Sequence, residues 1–223
     1  MESWDMNVAQ HRWDVSIDEA VAIQQRLRSL VVRENGFDPT HVGAIAGIDA
    51  SYREKAYAAI VILALPGLEV VEQVVAEREG PFPYVPGLLA FREAPAVLDA
   101  MEKLTTRPDL LMFDGQGIAH PRRLGIAAHL GVYLGMPSIG CAKSRLIGRY
   151  EEPGPQAGDS SPLMAGREQI GVVLRSKPRT NPLFISVGHL IDLPTAVSFV
   201  AQTLRGYRLP EPTRLADRLA GAR

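Results

Sequence analysis

The stretch that most limits what this 223-residue chain can fold into is Asp109 to His129, DLLMFDGQGIAHPRRLGIAAH. Leu110, Leu111, Met112 and Phe113 make a short apolar run without alternation, set between Pro108 and the glycines Gly115 and Gly117. A run of that kind reads as a strand covered on both faces. Asp114 ends it. The glycines free the backbone for a sharp turn, Pro121 keeps a helix from starting early, and Arg123 to Gly135 then predicts a helix with apolar or small residues nearly all round. Ser138 to Ala142 follows as a second short strand, ending at Lys143. Strand, helix, strand over this length is the crossover that joins parallel strands. Asp114 and Lys143 both emerge at carboxyl ends of strands, where open sheets hold their ligands.

The rest of the chain fits around that unit as one α/β domain, residues 1–223. Ser16 with Glu19 three positions on forms a capping box, opening a helix through Ala22, Ile23, Leu27, Leu30 and Val31. Val42 to Tyr52 predicts a strand with Ala46, Ile48, Ala50 and Tyr52 on one face and Gly47, Asp49 and Ser51 on the other. Tyr57 to Leu65 and Glu69 to Arg78 add a hairpin across Pro66-Gly67, giving three consecutive antiparallel strands. From Pro81 to Gly87 three prolines hold the backbone extended, so that Phe82 and Tyr84 are displayed from a stiff loop. Leu88 to Glu93 predicts a short helical turn, and Pro95 opens a separate helix from Ala96 to Leu104, which puts Glu93 near a helix start. Glu151 to Gly166, rich in Pro, Gly and Ser, reads as a surface excursion. Ile170 to Arg175 and Leu183 to Val187 predict a further strand pair, Pro194 opens a helix to Leu204, and a last short helix turns Leu215 and Leu219 inward with Asp217 on a different face.

Several classes of protein are excluded by composition. No apolar run reaches the ~18 uninterrupted residues of a membrane helix. The first residues, MESWDMNVAQHRWD, lack the blocks of a signal peptide, and the lone Cys141 rules out an internal disulfide framework, so a cytoplasmic setting is expected. A net charge of −1 argues against coating nucleic acid by bulk electrostatics. Binding of that kind needs a local patch, for which Arg122, Arg123, Arg145 and Arg149 lie in the right part of the sequence.

Asp49, Glu93 and Asp114 each stand beside small residues or a chain turn, and a cluster of such carboxylates favours a hard cation with oxygen ligands, magnesium or manganese. From pattern alone each also fits a strand-end or cap carboxylate with a backbone partner. One cysteine and scattered histidines give no zinc spacing. His129, on a largely apolar helix, reads as a core histidine, and Gly115-Gln116-Gly117 reads as a tight turn, since it matches neither phosphate-binding fingerprint.

Taken together, GIDASY from Gly47, FPYVPGLLAFRE from Phe82, DGQG from Asp114 with HPRR from His120, and GCAKSRL from Gly140 resemble the endonuclease V family, as do HRWD from His11 and PEPTRL from Pro210. The resemblance covers almost the whole chain. It implies a ribonuclease H-like fold, a mixed central sheet with helices on both sides. It further implies an enzyme that nicks DNA at the second phosphodiester bond 3′ to deoxyinosine or another deaminated base, leaving the lesion in place with a 3′-hydroxyl and a 5′-phosphate. Carried over by motif, Asp49, Glu93 and Asp114 hold magnesium, with manganese able to substitute, and Asp217 falls beside the metal. Lys143 contacts the scissile phosphate or its attacking water. Tyr84, with Pro83, Val85 and Pro86, wedges into the helix beside the lesion, and Arg122 is expected to contact DNA. Leu88, Leu89, Gly115, Gln116, Gly117 and Ile126 are expected to form the base pocket. The same site on inosine-containing RNA is the nearest alternative, and a binding module that does not cut is the second, against which the intact carboxylate set argues. A monomer without membrane partners is expected.

Overall fold

Alternate residues of a strand point to opposite faces of its sheet, and the central strands of this chain bury both. The computed structural model describes residues 9–52, 54–79 and 82–222. Its strands are β1 (Ala44–Tyr52), β2 (Ala56–Ala64), β3 (Val70–Arg78), β4 (Leu110–Phe113), β5 (Ser138–Ala142), β6 (Ser160–Ala165), β7 (Glu168–Leu174) and β8 (Leu183–His189). They form one eight-stranded sheet in the order β3-β2-β1-β4-β5-β8-β7-β6. β4 pairs in parallel with β1 and with β5, and the remaining neighbours are antiparallel, so the sheet is mixed.

The helices are α1 (Ile17–Leu27), α2 (Leu89–Met101), α3 (Ile126–Leu134), α4 (Leu193–Gln202) and α5 (Glu211–Gly221). Ala46, Ile48, Ile60, Ile62, Leu111 and Phe113 pack with the apolar residues of α2 and much of α3. Ile45, Val61, Leu63, Leu110, Met112, Ile139 and Cys141 pack in a second cluster with α4 and α5. Two cores thus lie on the two sides of the sheet, joined through the central strands β4, β5 and β8, which are buried at every residue. No helix among the described residues is long and apolar enough to cross a membrane.

Four local expectations are met and four are corrected. The capping box is present, with the Ser16 amide donating to Glu19 Oε2 at 2.7 Å. β1, the hairpin and the β4–α3–β5 crossover lie where the pattern predicts them. Corrected first is α2, which is one helix running through Pro95 rather than two pieces. Pro95 withdraws one backbone donor from the helix, and buried residues on both sides of it (Ala90, Phe91 and Ala94 before, Ala96, Val97 and Ala100 after) hold the helix together. Glu93 therefore lies inside α2. Secondly, α3 starts at Ile126, because Arg123 adopts a left-handed conformation (φ 58°) and Gly125 is extended. Thirdly, Ser160–Ala165 within the Glu151 to Gly166 excursion is the edge strand β6, where Pro162 is tolerated. Lastly, α1 ends at Leu27 and leaves Ala22 and Leu30 exposed.

Candidate active site

The site is built by register. Ile48 of β1 pairs with Phe113 of β4, and the Asp114 amide donates to the Ile48 carbonyl at 2.8 Å. Asp49 and Asp114 therefore leave two neighbouring parallel strands side by side. α5 crosses the same face of β1 as Asp49, its Pro212 backbone lying against Gly47, and this brings Asp217 to the pair. One carboxylate oxygen from each of Asp49, Asp114 and Asp217 lies within 4.8 Å of the others. Lys143, just past the end of β5, completes the group: its Nζ is 2.5 Å from Asp114 Oδ2 and also pairs with Asp217 Oδ1. Glu93 is buried nearby on α2 but is not part of the three-carboxylate cluster.

Packing several carboxylates away from water is unfavourable in their charged form. Burial, with the Asp114 carboxylate beside it, pushes Asp49 up to about 7. Burial, with Asp49 next to it, pushes Glu93 up to about 8 against the opposing Arg92 guanidinium. Burial also raises Asp114, in spite of the Lys143 ammonium. For Lys143 burial works toward a lower pKa, but Asp114 and Asp217 outweigh it and hold the side chain charged.

Asp114 and Lys143 also line a cavity of about 420 Å³, together with Gly115, Gln116, Leu89 and Ile126. The tyrosine loop, Tyr84, Val85, Pro86 and Gly87, lines the same cavity. Of the six residues expected in the base pocket, four line this cavity. Leu88 is buried behind it in a cluster with Ala20, Phe82 and Phe91, and Gly117 is turned to β8, its amide donating to Ser186 Oγ at 2.9 Å. Gln116 is oriented by its Nε2, which donates to the Ser144 carbonyl at 2.8 Å.

The loop itself differs from expectation at one end. Tyr84 is 71% exposed, as predicted, whereas Phe82 is buried 5.5 Å from the Phe91 ring. An apolar pocket between α1 and α2 takes Phe82, so the loop displays one aromatic and is anchored by the other. Pro81 lies outside the described residues; Pro83 and Pro86 are exposed. Arg92 stacks on Tyr52 with its guanidinium 3.4 Å from the ring centre, and stands 5.9 Å from the Tyr84 ring.

The arginines expected to form a basic patch divide. Arg122 points into the protein, its Nη2 donating to the Gly87 carbonyl at 2.6 Å and its Nε to Gln24. Arg123 pairs with Glu168 at 2.9 Å. Arg145 lines the cavity, and Arg149 is exposed. His129 is fully buried, 2.7 Å from His11 Nε2, and serves as a core histidine. Two residues of the surroundings escaped sequence reasoning. Gln24 is fully buried on α1; the available signal was a glutamine on the stripe between Ala20 and Leu27. Arg208 donates to the Lys143 carbonyl at 2.5 Å and to the Asn181 carbonyl at 2.8 Å, bracing the end of β5; nothing in its local pattern marked it.

Comparison with known proteins gives this geometry its context. The family model for endonuclease V matches residues 25–218. Endonuclease V of Nostoc punctiforme is 50% identical over 216 residues, 96% of this chain and 97% of that protein. The chain belongs to the endonuclease V family. Endonuclease V of Bacillus subtilis superposes with a TM-score of 0.90 at 31% identity, over 94% of this chain and 93% of that one. Ciona intestinalis endonuclease V, solved with a DNA containing an inosine followed by a ribo-adenosine, gives 0.79 at 27% identity over 92% and 95% of the two chains. Endonuclease V structures have a ribonuclease H-like fold, and this mixed sheet with helices on both sides shares it. The protein is an endonuclease.

In this site the donor set is carboxylate oxygen throughout, which suits a hard divalent cation, and the Lys143 ammonium already lies between two of the carboxylates. The raised acids give a test that needs no substrate. A carboxyl whose folded pKa is above its unfolded value favours the fold most below the unfolded pKa and loses that contribution as pH rises toward the folded one. For Asp49 the window runs from 3.8 to about 7, and for Glu93 from 4.5 to about 8. In chelator, melting temperature is expected to fall by ~2–8 °C between pH 5 and pH 8.5, as a loss of ~1–2 kcal/mol implies. Magnesium at pH 8.5 is expected to recover most of that fall and to change little at pH 5. A flat melting profile in chelator would contradict the burial of these carboxylates.

Proposed function

We propose that this endonuclease hydrolyses DNA at the second phosphodiester bond 3′ to deoxyinosine, and to other deaminated bases, leaving a 3′-hydroxyl and a 5′-phosphate with the lesion retained. One observation carries the reading: Asp114 of the carboxylate cluster, its partner Lys143 and the exposed Tyr84 loop all line a single cavity.

Asp49, Asp114 and Asp217, with Glu93 alongside, are the residues that would hold a magnesium or manganese ion, which when bound would supply Lewis-acid stabilisation and a more acidic water. In the hydrolysis, water attacks phosphorus in line with the departing 3′ oxygen, and the new P–O bond stays with the 5′-phosphate. Lys143, held charged by its neighbours and facing the cavity, stabilises the negative charge that grows on the phosphoryl oxygens. Asp114 and Asp217 aim that ammonium.

Reaching a base inside a duplex costs a few kcal/mol of unpairing, less for a damaged pair. Tyr84, exposed on a loop stiffened by Pro83 and Pro86, is suited to take the vacated place in the stack. The turned-out base then enters between Leu89 and Ile126, against Gly115 and Gln116.

A second reading, cleavage of inosine-containing RNA, draws on the ribonucleotide that follows the inosine in the strand bound to the Ciona relative. The experiment is incubation with end-labelled DNA duplex and matching RNA, each carrying one inosine, with magnesium or with chelator. Magnesium-dependent cleavage of the DNA is expected. Preference for RNA would move the substrate class to RNA with the same site, and cleavage undiminished by chelator would overturn the metal assignment.

A further inference from the structure

The tyrosine loop hangs from one carbonyl. Gly87 closes the loop at φ 80°, and its oxygen accepts from Gln24 Nε2 at 3.0 Å, His120 Nε2 at 3.0 Å and Arg122 Nη2 at 2.6 Å. The His120 donor is well defined. The Arg122 amide donates to His120 Nδ1 at 3.2 Å, which leaves the ring proton on Nε2, and burial beside Arg122 holds the ring neutral with its pKa lowered to about 4.

Gln24 is the member that links separate parts of the chain. Its Oε1 accepts from Arg122 Nε, and its Nε2 reaches the Leu124 carbonyl at 3.2 Å as well as Gly87. A buried amide on an apolar helix stripe is unfavourable unless its bonds are made, and here both ends are used. Ala20, one turn earlier on α1, packs in the cluster that anchors Phe82. α1 therefore holds the loop at both ends, by Phe82 packing and by the Gly87 carbonyl. From Gly87 the chain is tied back by the Leu88 amide donating to Val85 at 2.9 Å, one residue from Tyr84.

We propose that Gln24 is a positioning residue for Tyr84: through the Gly87 carbonyl and Leu124 it fixes the tyrosine loop relative to the cavity that receives the base. This rests on the reading of Tyr84 as the residue that parts the helix. A leucine at this place would fill the same space but remove the link from α1 to the loop carbonyl, leaving only His120 and Arg122 on it.

The test is Gln24→Met, which keeps chain length and apolar packing and removes all of these bonds. Duplex DNA with one inosine is expected to be cut with kcat/KM lowered ~tenfold, mostly through KM. On single-stranded inosine DNA, where no helix has to be parted, the loss is expected to stay within ~twofold. In a Tyr84→Ala background, adding Gln24→Met is expected to cost less than a further ~twofold, because the two changes remove the same function. Equal losses on duplex and single strand, or a full tenfold further loss without Tyr84, would overturn the proposal in favour of general destabilisation. An unchanged duplex rate would overturn it outright. A readout without cleavage is the fluorescence of 2-aminopurine placed 3′ to the inosine, in chelator at saturating protein: Gln24→Met and His120→Phe are both expected to show a smaller rise than wild type, and a full rise in both would count against the clamp. Cleavage of the duplex by the wild-type protein is the separate control on which the function reading itself stands.

Discussion

Asp114→Asn is expected to lower the single-turnover rate on inosine-containing duplex by ~10³-fold or more in magnesium, a loss of ~4 kcal/mol of transition-state stabilisation. Asp114 stands where the site's elements meet: it ends β4, lies beside Asp49 through the β1 pairing, and holds Lys143 Nζ at 2.5 Å. Asparagine keeps the shape and removes the charge, so both cation binding and the aim of the lysine are weakened by one change. The fold should not suffer. Burial already works against the charged form of Asp114, and removing a buried charge from a cluster of like charges relieves repulsion. The melting temperature in chelator is therefore expected to match or exceed wild type while activity disappears. A loss below ~tenfold would take Asp114 out of the catalytic assembly.

Gly47→Ala is expected to lower stability by ~3 kcal/mol, with a melting temperature ~6–12 °C lower. A Cβ at this position would stand 1.9 Å from the Pro212 carbonyl oxygen and 2.0 Å from its carbon. Those atoms are backbone, so relief requires α5 to move as a body away from β1. Pro212, Thr213, Ala216 and Ala220 are buried along α5, and shifting them opens the core on that side of the sheet. The same shift carries Asp217 away from Lys143, so cleavage by the residual folded protein is expected to fall too. Gly221→Ala, at a place where an added Cβ meets nothing within 4 Å, is the control and should be neutral in both measurements. If Gly47→Ala melted like wild type, the close seating of α5 on β1 would be contradicted.

The β4–α3–β5 unit was readable because its residues obey one rule each. A fully apolar run of four residues bounded by Pro and Gly leaves few alternatives to a buried strand, and Asp114 and Lys143 follow by position. Periodicity also separates the two faces of β1, setting Asp49 on the face of Gly47 and Ser51; that α5 covers this face shows only in the packing of Pro212 against Gly47. The failures came where tertiary packing overrode a local signal. Pro95 reads as a helix start, but packing on both sides of it keeps α2 continuous and carries Glu93 inside. Phe82 and Tyr84 look equivalent two residues apart in a proline loop, and only the pocket formed by Ala20 and Phe91 separates the anchor from the displayed ring. Arg122 reads as a surface cation near a basic cluster, whereas its partners Gln24 and Gly87 are 98 and 35 residues away in sequence. β6 was hidden by Pro and Ser, which an edge strand accepts and a central one does not. The motifs shared with the endonuclease V family named the carboxylates; bringing Asp217 to Asp49 and Asp114 depended on the helix seat at Gly47, which no local pattern records.

The central claim, that the carboxylate and lysine cluster cuts the strand that Tyr84 opens, is tested most directly by mapping the break in a duplex carrying one deoxyinosine at a known position. Wild-type protein with magnesium is expected to give a single nick at the second phosphodiester bond 3′ to the lesion, with the inosine still in the strand and a product end that a ligase can reseal. Cutting at unrelated positions, release of the base, or no cutting with the lesion still bound would contradict the account.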